Sequence, residues 1–182
     1  KLMEEKMLLS WTQSDLNKTV INLRYFNPVS ASSKGVIGEM PKIESNNLFP
    51  NISKVISGQV KTLEIFGNDY NTADGTCIRD YIHIDDLVNG HISAIKLLES
   101  TFGFHSFNLG AGKGYSVIEV IKCIESILKR KIPITFRPKR IGDLASYFSD
   151  TRKSLEKLDW KCNKNLNQIS KDFLKWENKI NN

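Results

Sequence analysis

The sequence predicts an α/β fold, on three observations. Short β-branched and aromatic runs alternate with longer stretches whose apolar residues recur at helical spacing. Clusters of Gly, Asn, Asp, Ser and Pro separate the two kinds of segment. The 182 residues also suit about one ordinary domain, with no internal repeat, low-complexity tract or long linker to divide them.

Residues 1–9 read as a helix, with Leu2, Met3, Met7 and Leu9 apolar and Glu4, Glu5 and Lys6 between them. No Ser, Thr, Asp or Asn caps its start, so the expectation is a chain that opens inside a helix. Residues 20–26 form a strand that Asn27-Pro28 ends. The Ser- and Gly-rich stretch 29–44 is then a loop at the carboxyl end of that strand, where side chains can meet a ligand. A helix over 47–57, a short strand over 63–66 and a polar turn over 67–75 follow, the turn carrying Asn68, Asp69, Asn71 and Asp74. Residues 78–84 are a further strand, and Asp85 or Asp86 can cap the helix behind it. In that helix Leu87, His91, Ile92, Ile95 and Leu98 form the expected buried stripe. Residues 107–109 are a brief strand, and Ser116 with Glu119 makes a capping box for a helix through Leu128. Residues 132–136 return to strand, and the helix over 166–180 places Leu166, Ile169, Phe173, Trp176 and Ile180 on one face.

Hydrophobic residues at 40% and charged residues at 25% match an average soluble globular chain, and no apolar run approaches the roughly 20 residues that span a bilayer. No membrane partner is expected, and the opening residues from Lys1 do not read as a secretion signal. Cys77, Cys123 and Cys162 are odd in number and widely spaced, which suits reduced thiols in a cytoplasmic protein and offers no metal site. The net charge of +6 gathers partly at Lys129, Arg130, Lys131, Arg137, Lys139 and Arg140, a stretch that a nucleic-acid-binding module would use. Elsewhere the lysines are scattered among acids, as on a solvated surface, and no nucleic-acid partner is expected. Gly110-Ala111-Gly112-Lys113-Gly114 lies between strand and helix as a phosphate loop would. It lacks the Gly-Lys-Ser/Thr ending and the Gly-x-Gly-x-x-Gly spacing, so a glycine turn feeding a capped helix accounts for it.

Three other segments are more specific together: Leu23-Arg24-Tyr25-Phe26-Asn27-Pro28, Arg79-Asp80-Tyr81-Ile82-His83-Ile84-Asp85-Asp86-Leu87, and Arg137-Pro138-Lys139-Arg140-Ile141-Gly142-Asp143. In order and spacing they resemble the extended short-chain dehydrogenase/reductase proteins that modify nucleotide sugars. Asn46-Asn47-Leu48, the run from Leu63 to Tyr70, and Asp74-Gly75-Thr76 ahead of Arg79 are similar to the UDP-glucose 4-epimerase branch of that family. The resemblance covers nearly the whole chain. It implies the end of a Rossmann-type doubly wound parallel sheet interleaved with a smaller α/β substrate-binding domain. Residues 1–28 would close the dinucleotide-binding domain, and 29–182 would be mainly the UDP-sugar-binding domain, with about 78–110 returning to the first.

That resemblance further implies NAD as cofactor and UDP-glucose and UDP-galactose as substrates. Lys1 matches the lysine of the family's Tyr-x-x-x-Lys pair, whose tyrosine stands one helical turn earlier. An ammonium beside a phenol favours the phenolate, so such a tyrosine can act as a base near neutral pH. In the family that base takes the sugar 4-hydroxyl proton while NAD takes the C4 hydride, which later returns to the other face of the 4-keto sugar. Lys1, Tyr25 and Phe26 would border the cofactor. A diphosphate calls for fixed cations that fit oxygen geometry, as Arg's planar fork does. By resemblance Arg79 and Arg140 hold it, Asp143 accepts from the ribose, Asn27 and Asn47 beside Leu48 hydrogen-bond the nucleotide sugar, and Phe66 with the Glu64 and Ile65 backbone lies against the uracil. Tyr147 matches a position whose bulk narrows the sugar pocket and should disfavour N-acetylated sugars.

Taken singly, each of these residues reads as a surface ion pair or a core aromatic; their joint spacing carries the assignment. The family's glycine-rich loop and catalytic tyrosine fall outside the sequence. The expectation is therefore a carboxyl-terminal part of the enzyme, inactive alone and poorly stable, because the strands near 20–26 and 107–109 would leave a sheet edge unpaired. Full-length members commonly form homodimers through helices that include the one near Lys1. Alternatives are a related dehydratase, decarboxylase or uronate epimerase, a noncatalytic sugar-nucleotide-binding protein, and a nucleic-acid-binding module.

Overall fold

A computed structural model describes residues 1–40 and 45–180; residues 41–44, the end of the loop expected over 29–44, lie outside the described residues. Helix α1 (Leu2–Gln13) extends past residue 9 and turns its apolar side chains outward, leaving Leu2, Met3 and Met7 exposed and Thr12 buried. Strand β1 (Thr19–Tyr25) pairs in parallel with β6 (Gly103–Leu109), Thr19 opposite Gly103 and Tyr25 opposite Leu109. At Phe26 the chain changes neighbour. Phe26 N–H donates to Leu109 O, Asn27 N–H donates to Asp80 O, and β2 (Asn27–Val29) then lies parallel to β5 (Tyr81–His83). The stop expected at Asn27-Pro28 is thus a switch of partner, because an edge strand tolerates proline's missing donor.

Helix α2 (Leu48–Ile56) leads to β3 (Leu63–Phe66), which pairs in parallel with β8 (Ile134–Arg137). Strand β4 (Ile78–Arg79) lies between β7 (Tyr115–Ser116), antiparallel, and β9 (Ser146–Tyr147), parallel. The single strand expected over 78–84 is broken at Asp80, whose buried carboxylate accepts from Ala111 N at 2.7 Å, Gly112 N at 3.1 Å, Ser149 N at 3.0 Å and Ser149 Oγ at 2.5 Å. These bonds occupy the amides of the glycine turn. A Cβ on Gly110 would stand 2.3 Å from Ser149 Oγ, so this close approach requires glycine.

Helix α3 (Ile84–Leu98) corrects two expectations. His83, not Asp85 or Asp86, is its N-cap, with His83 Nδ1 accepting from Asp85 N at 2.9 Å. Its buried residues are Asp86, Leu87, Gly90 and Ala94, whereas Ile92, Ile95 and Leu98 are exposed. The small Gly90 lets the helix settle close to Leu109 and Trp160, and this rotates the larger side chains outward. Helix α4 (Val117–Leu128) has the reciprocal Ser116–Glu119 capping box. A short helix α5 (Arg152–Leu158) went unmarked by the sequence, and α6 (Leu166–Ile180) has the expected bounds. In α6, Leu166, Ile169, Phe173 and Leu174 are buried, while Trp176 packs on Gly38 and its indole N–H donates to Glu39 O at 3.3 Å.

Apolar residues collect in two cores. One joins α2, β3, β5, α4 and α6 through Phe49, Ile52, Ile65, Tyr81, Ile124 and Ile169. The other joins β5, α3, β6 and α5 through Ile82, Leu87, Phe107, Leu109, Leu158 and Trp160. Strand β5 contributes to both, so the switch at Phe26 and the break at Asp80 stand where the cores meet.

Candidate functional site

A cleft of about 350 Å³ opens beside that junction. Strand β2 supplies Asn27, the start of α2 supplies Asn47 and Leu48, β3 supplies Glu64, Ile65 and Phe66, and β4 supplies Arg79. Arg140 and Asp143 come from the turn after β8, and Phe26 closes one end. The chain thus brings ten of the expected residues into one cavity from segments far apart in sequence.

Arg79 is held by Ile78 O at 2.8 Å, Leu144 O at 2.7 Å and the Asp143 carboxylate at 3.3 Å. An arginine fork has further donors, and among the described residues these have no partner. The Arg140 guanidinium lies 3.7 Å above the Phe66 ring, and one N–H reaches Asn46 O at 3.4 Å, a long bond. The cleft therefore presents an aromatic face and two guanidinium groups, one fixed by backbone carbonyls and one resting on the ring. Asn27 is oriented by its amide N–H donating to Asp80 O at 3.0 Å. Glu64 turns outward to Arg137 at 2.7 Å, which leaves its backbone toward the cleft end of β3.

Three expected residues stand outside this cavity. Tyr147 stacks on Phe26, with ring centroids 5.0 Å apart at 23°, and so walls the Phe26 end from β9. Tyr25 is half exposed at the carboxyl end of β1, with its hydroxyl 2.7 Å from His91 Nε2. Lys1 is on the surface, paired with Glu4 at 3.0 Å. The structure does not bring Lys1 to the cleft.

Several lining residues escaped the sequence reading. Asn46 stands beside Asn47 in the same motif, and Tyr81 lies in the Arg79 motif; burial pushes the Tyr81 phenol above its ordinary range. Cys77 lines the cleft, and burial raises its thiol as well. Nothing in the spacing of the cysteines distinguished Cys77 from the others. Tyr70 sits under the turn at Gly67 with its hydroxyl buried and without a hydrogen-bond partner among the described residues.

The basic stretch 129–140 does not form one open patch. Lys131 pairs with Glu125, Arg137 with Glu64 and Lys139 with Asp69, Arg130 donates to Ile56 O, and Arg140 enters the cleft. Among the described residues no group of acids, histidines and cysteines could hold a metal ion, and no helix is long and apolar enough to cross a membrane.

The sequence profile of the NAD dependent epimerase/dehydratase family matches residues 1–110. A UDP-glucose 4-epimerase of Neisseria gonorrhoeae is 43% identical over 176 residues, covering 97% of this chain and 52% of that protein. One of Dictyostelium discoideum is 44% identical over 178 residues, with shares of 97% and 52%. Among solved structures, UDP-glucose 4-epimerase from Bifidobacterium longum in complex with NAD+ and UDP superposes with a TM-score of 0.93 at 40% identity, covering 98% of this chain and 53% of that one. The Stenotrophomonas maltophila enzyme with bound NAD and formylated UDP-arabinopyranose has a TM-score of 0.94 at 36% identity, with shares of 99% and 54%. The chain spans about half the length of the curated relatives it matches.

Proposed function

The chain belongs to the NAD dependent epimerase/dehydratase family, and from that premise we propose that it forms the UDP-sugar-binding part of a UDP-glucose 4-epimerase, which interconverts UDP-glucose and UDP-galactose. One observation carries the reading: Arg79, Arg140, Phe66, Asn27 and Asn47 line a single cleft, although their motifs lie far apart in sequence. In this reading Arg79 and Arg140 hold the diphosphate, Asp143 accepts from the ribose, and Asn27 and Asn47 bond the nucleotide sugar. Phe66 and Leu48, with the backbone of Glu64 and Ile65, receive the uracil. Asp143 also balances Arg79, so one carboxylate would orient a cation and a ribose hydroxyl together.

NAD would supply the hydride acceptor. The residues present suit its nicotinamide end, because Tyr25 and Phe26 lie at the carboxyl end of parallel strand β1, where open α/β sheets bind flat cofactors. Lys1, assigned by resemblance to the family's catalytic pair, is engaged with Glu4 and would have to turn from it to reach a phenol or a ribose. Residues 1–28 with about 78–110 are assigned to the cofactor domain and the rest to the sugar domain; the second core, built on Ile82, Leu87, Phe107 and Leu109, supports this division, with Leu158 and Trp160 joining it from the sugar-domain part.

Tyr147 braced on Phe26 narrows the sugar end, so the enzyme prefers UDP-galactose to its N-acetylated form. Product analysis on the enzyme containing this chain should show UDP-galactose turned into UDP-glucose with no net oxidation, and slower turnover of UDP-N-acetylgalactosamine. A 4-keto-6-deoxy or decarboxylated product, or equal turnover of both sugars, overturns this reading.

The protein is further assigned to the cytoplasm, where its three free cysteines would stay reduced, and to a homodimer built on the exposed apolar side chains of α1. Sedimentation should show a dimer that Met3→Lys with Met7→Lys dissociates. A monomer at high concentration would remove the dimer.

A further inference from the structure

His91 meets Tyr25 from α3, with ring centroids 5.3 Å apart and Tyr25 Oη 2.7 Å from His91 Nε2. The other ring nitrogen, Nδ1, lies 2.8 Å from Leu87 O. A carbonyl only accepts, so Nδ1 carries the hydrogen, and in a neutral imidazole Nε2 is left as an acceptor. The Tyr25 hydroxyl then has one place for its proton, on the bond to Nε2. Its oxygen keeps lone pairs that no described residue occupies, on a half-exposed side chain.

We propose that His91 is a positioning residue that makes Tyr25 a one-way acceptor, selecting a ligand that offers an N–H donor, as the carboxamide of a nicotinamide does. The proposal rests on the reading of Tyr25 as a border of the nicotinamide. It adds a direction: Tyr25 receives a hydrogen from the ligand's amide and gives none to its carbonyl oxygen. The backbone carbonyl of Leu87 sets that direction through the imidazole, so the polarity of the pair is built into the first turns of α3.

Nitrogen NMR of the histidine-labelled chain in mildly alkaline buffer tests the first half. The expected spectrum has His91 protonated on Nδ1, with an Nε2 resonance that moves in Tyr25→Phe. A proton on Nε2 overturns the proposal. For the ligand, nicotinamide mononucleotide is compared with its 3-acetylpyridine counterpart, in which a methyl group replaces the amide nitrogen. The amide should bind about tenfold more tightly, the difference one hydrogen bond makes. That preference should vanish in His91→Phe, where the freed hydroxyl can donate to the carbonyl common to both probes. It should return in His91→Gln, whose amide oxygen accepts in place of Nε2. Equal affinity in the unaltered chain, a preference untouched by His91→Phe, or binding of neither probe overturns it. Failure to bind UDP would instead remove the nucleotide reading and leave the imidazole spectrum unchanged.

Discussion

His83 is fully buried between two acids and a lysine, bonded through Nε2 to Asp172 at 3.1 Å and through Nδ1 to the amide of Asp85. Burial, and then the Lys164 ammonium, holds its imidazole below the ordinary 6.5, against the pull of Asp85 and Asp172. The unfolded chain therefore takes up this proton first as pH falls. Stability is fully present above 6.5 and is lost as pH drops from there toward the lower folded value. Thermal unfolding should show this loss, at most about 1.4 kcal/mol per pH unit, and His83→Gln should flatten it. Parallel curves for the two proteins would contradict the assignment. At this scale the motifs made Arg79, Arg140 and Phe66 legible, because their chemistry is distinctive and their spacing specific. Cys77 and Tyr70 were not legible, since only the folded path shows which side of a strand or turn a side chain takes. Lys1 rests on resemblance alone, because the tyrosine of its pair falls outside the sequence, and here its ammonium pairs with Glu4 on the surface.

Among the elements, α4 depends most visibly on its first residue. Ser116 Oγ accepts from Glu119 N at 3.0 Å, Glu119 returns a bond to Ser116 N at 2.6 Å, and the same hydroxyl donates to Asp74. Ser116→Ala should lower stability by about 1 to 2 kcal/mol, seen as a lower urea midpoint with an unchanged slope. A midpoint like that of the unaltered chain would show that the cap contributes nothing. This helix was legible because a capping box is a local signal; β9 and α5 were not, because a two-residue strand paired with β4 and a seven-residue helix whose Leu158 joins the second core carry little local signal. The stripe on α3 was misread for a related reason. Periodicity marked a row of apolar residues, but the close approach at Gly90 selects a neighbouring face for burial. A single strand over 78–84 is expected because Ile78, Tyr81, Ile82 and Ile84 are strand formers; Asp80 breaks it by accepting from the glycine turn and Ser149.

For the whole molecule, the alternation of strands and helices was enough to predict α/β and parallel pairing follows the order of the elements, yet the sheets among the described residues are small. Among the described residues, strands β1 and β6 pair with each other alone. The cleft depends on both cores, because β2 and β5 hold Asn27 in place while the β3–β8 pair carries Phe66 and leads to Arg140. If the fold exists to present this cleft, the chain should bind uridine diphosphate without any added sugar. Isothermal titration of the chain with UDP is the most direct measurement. The expected result is saturable binding of one UDP per chain, weakened about tenfold or more by Arg79→Ala, as for loss of charged hydrogen bonds. The contradicting result is no binding by a folded chain, or the same affinity with and without the Arg79 guanidinium.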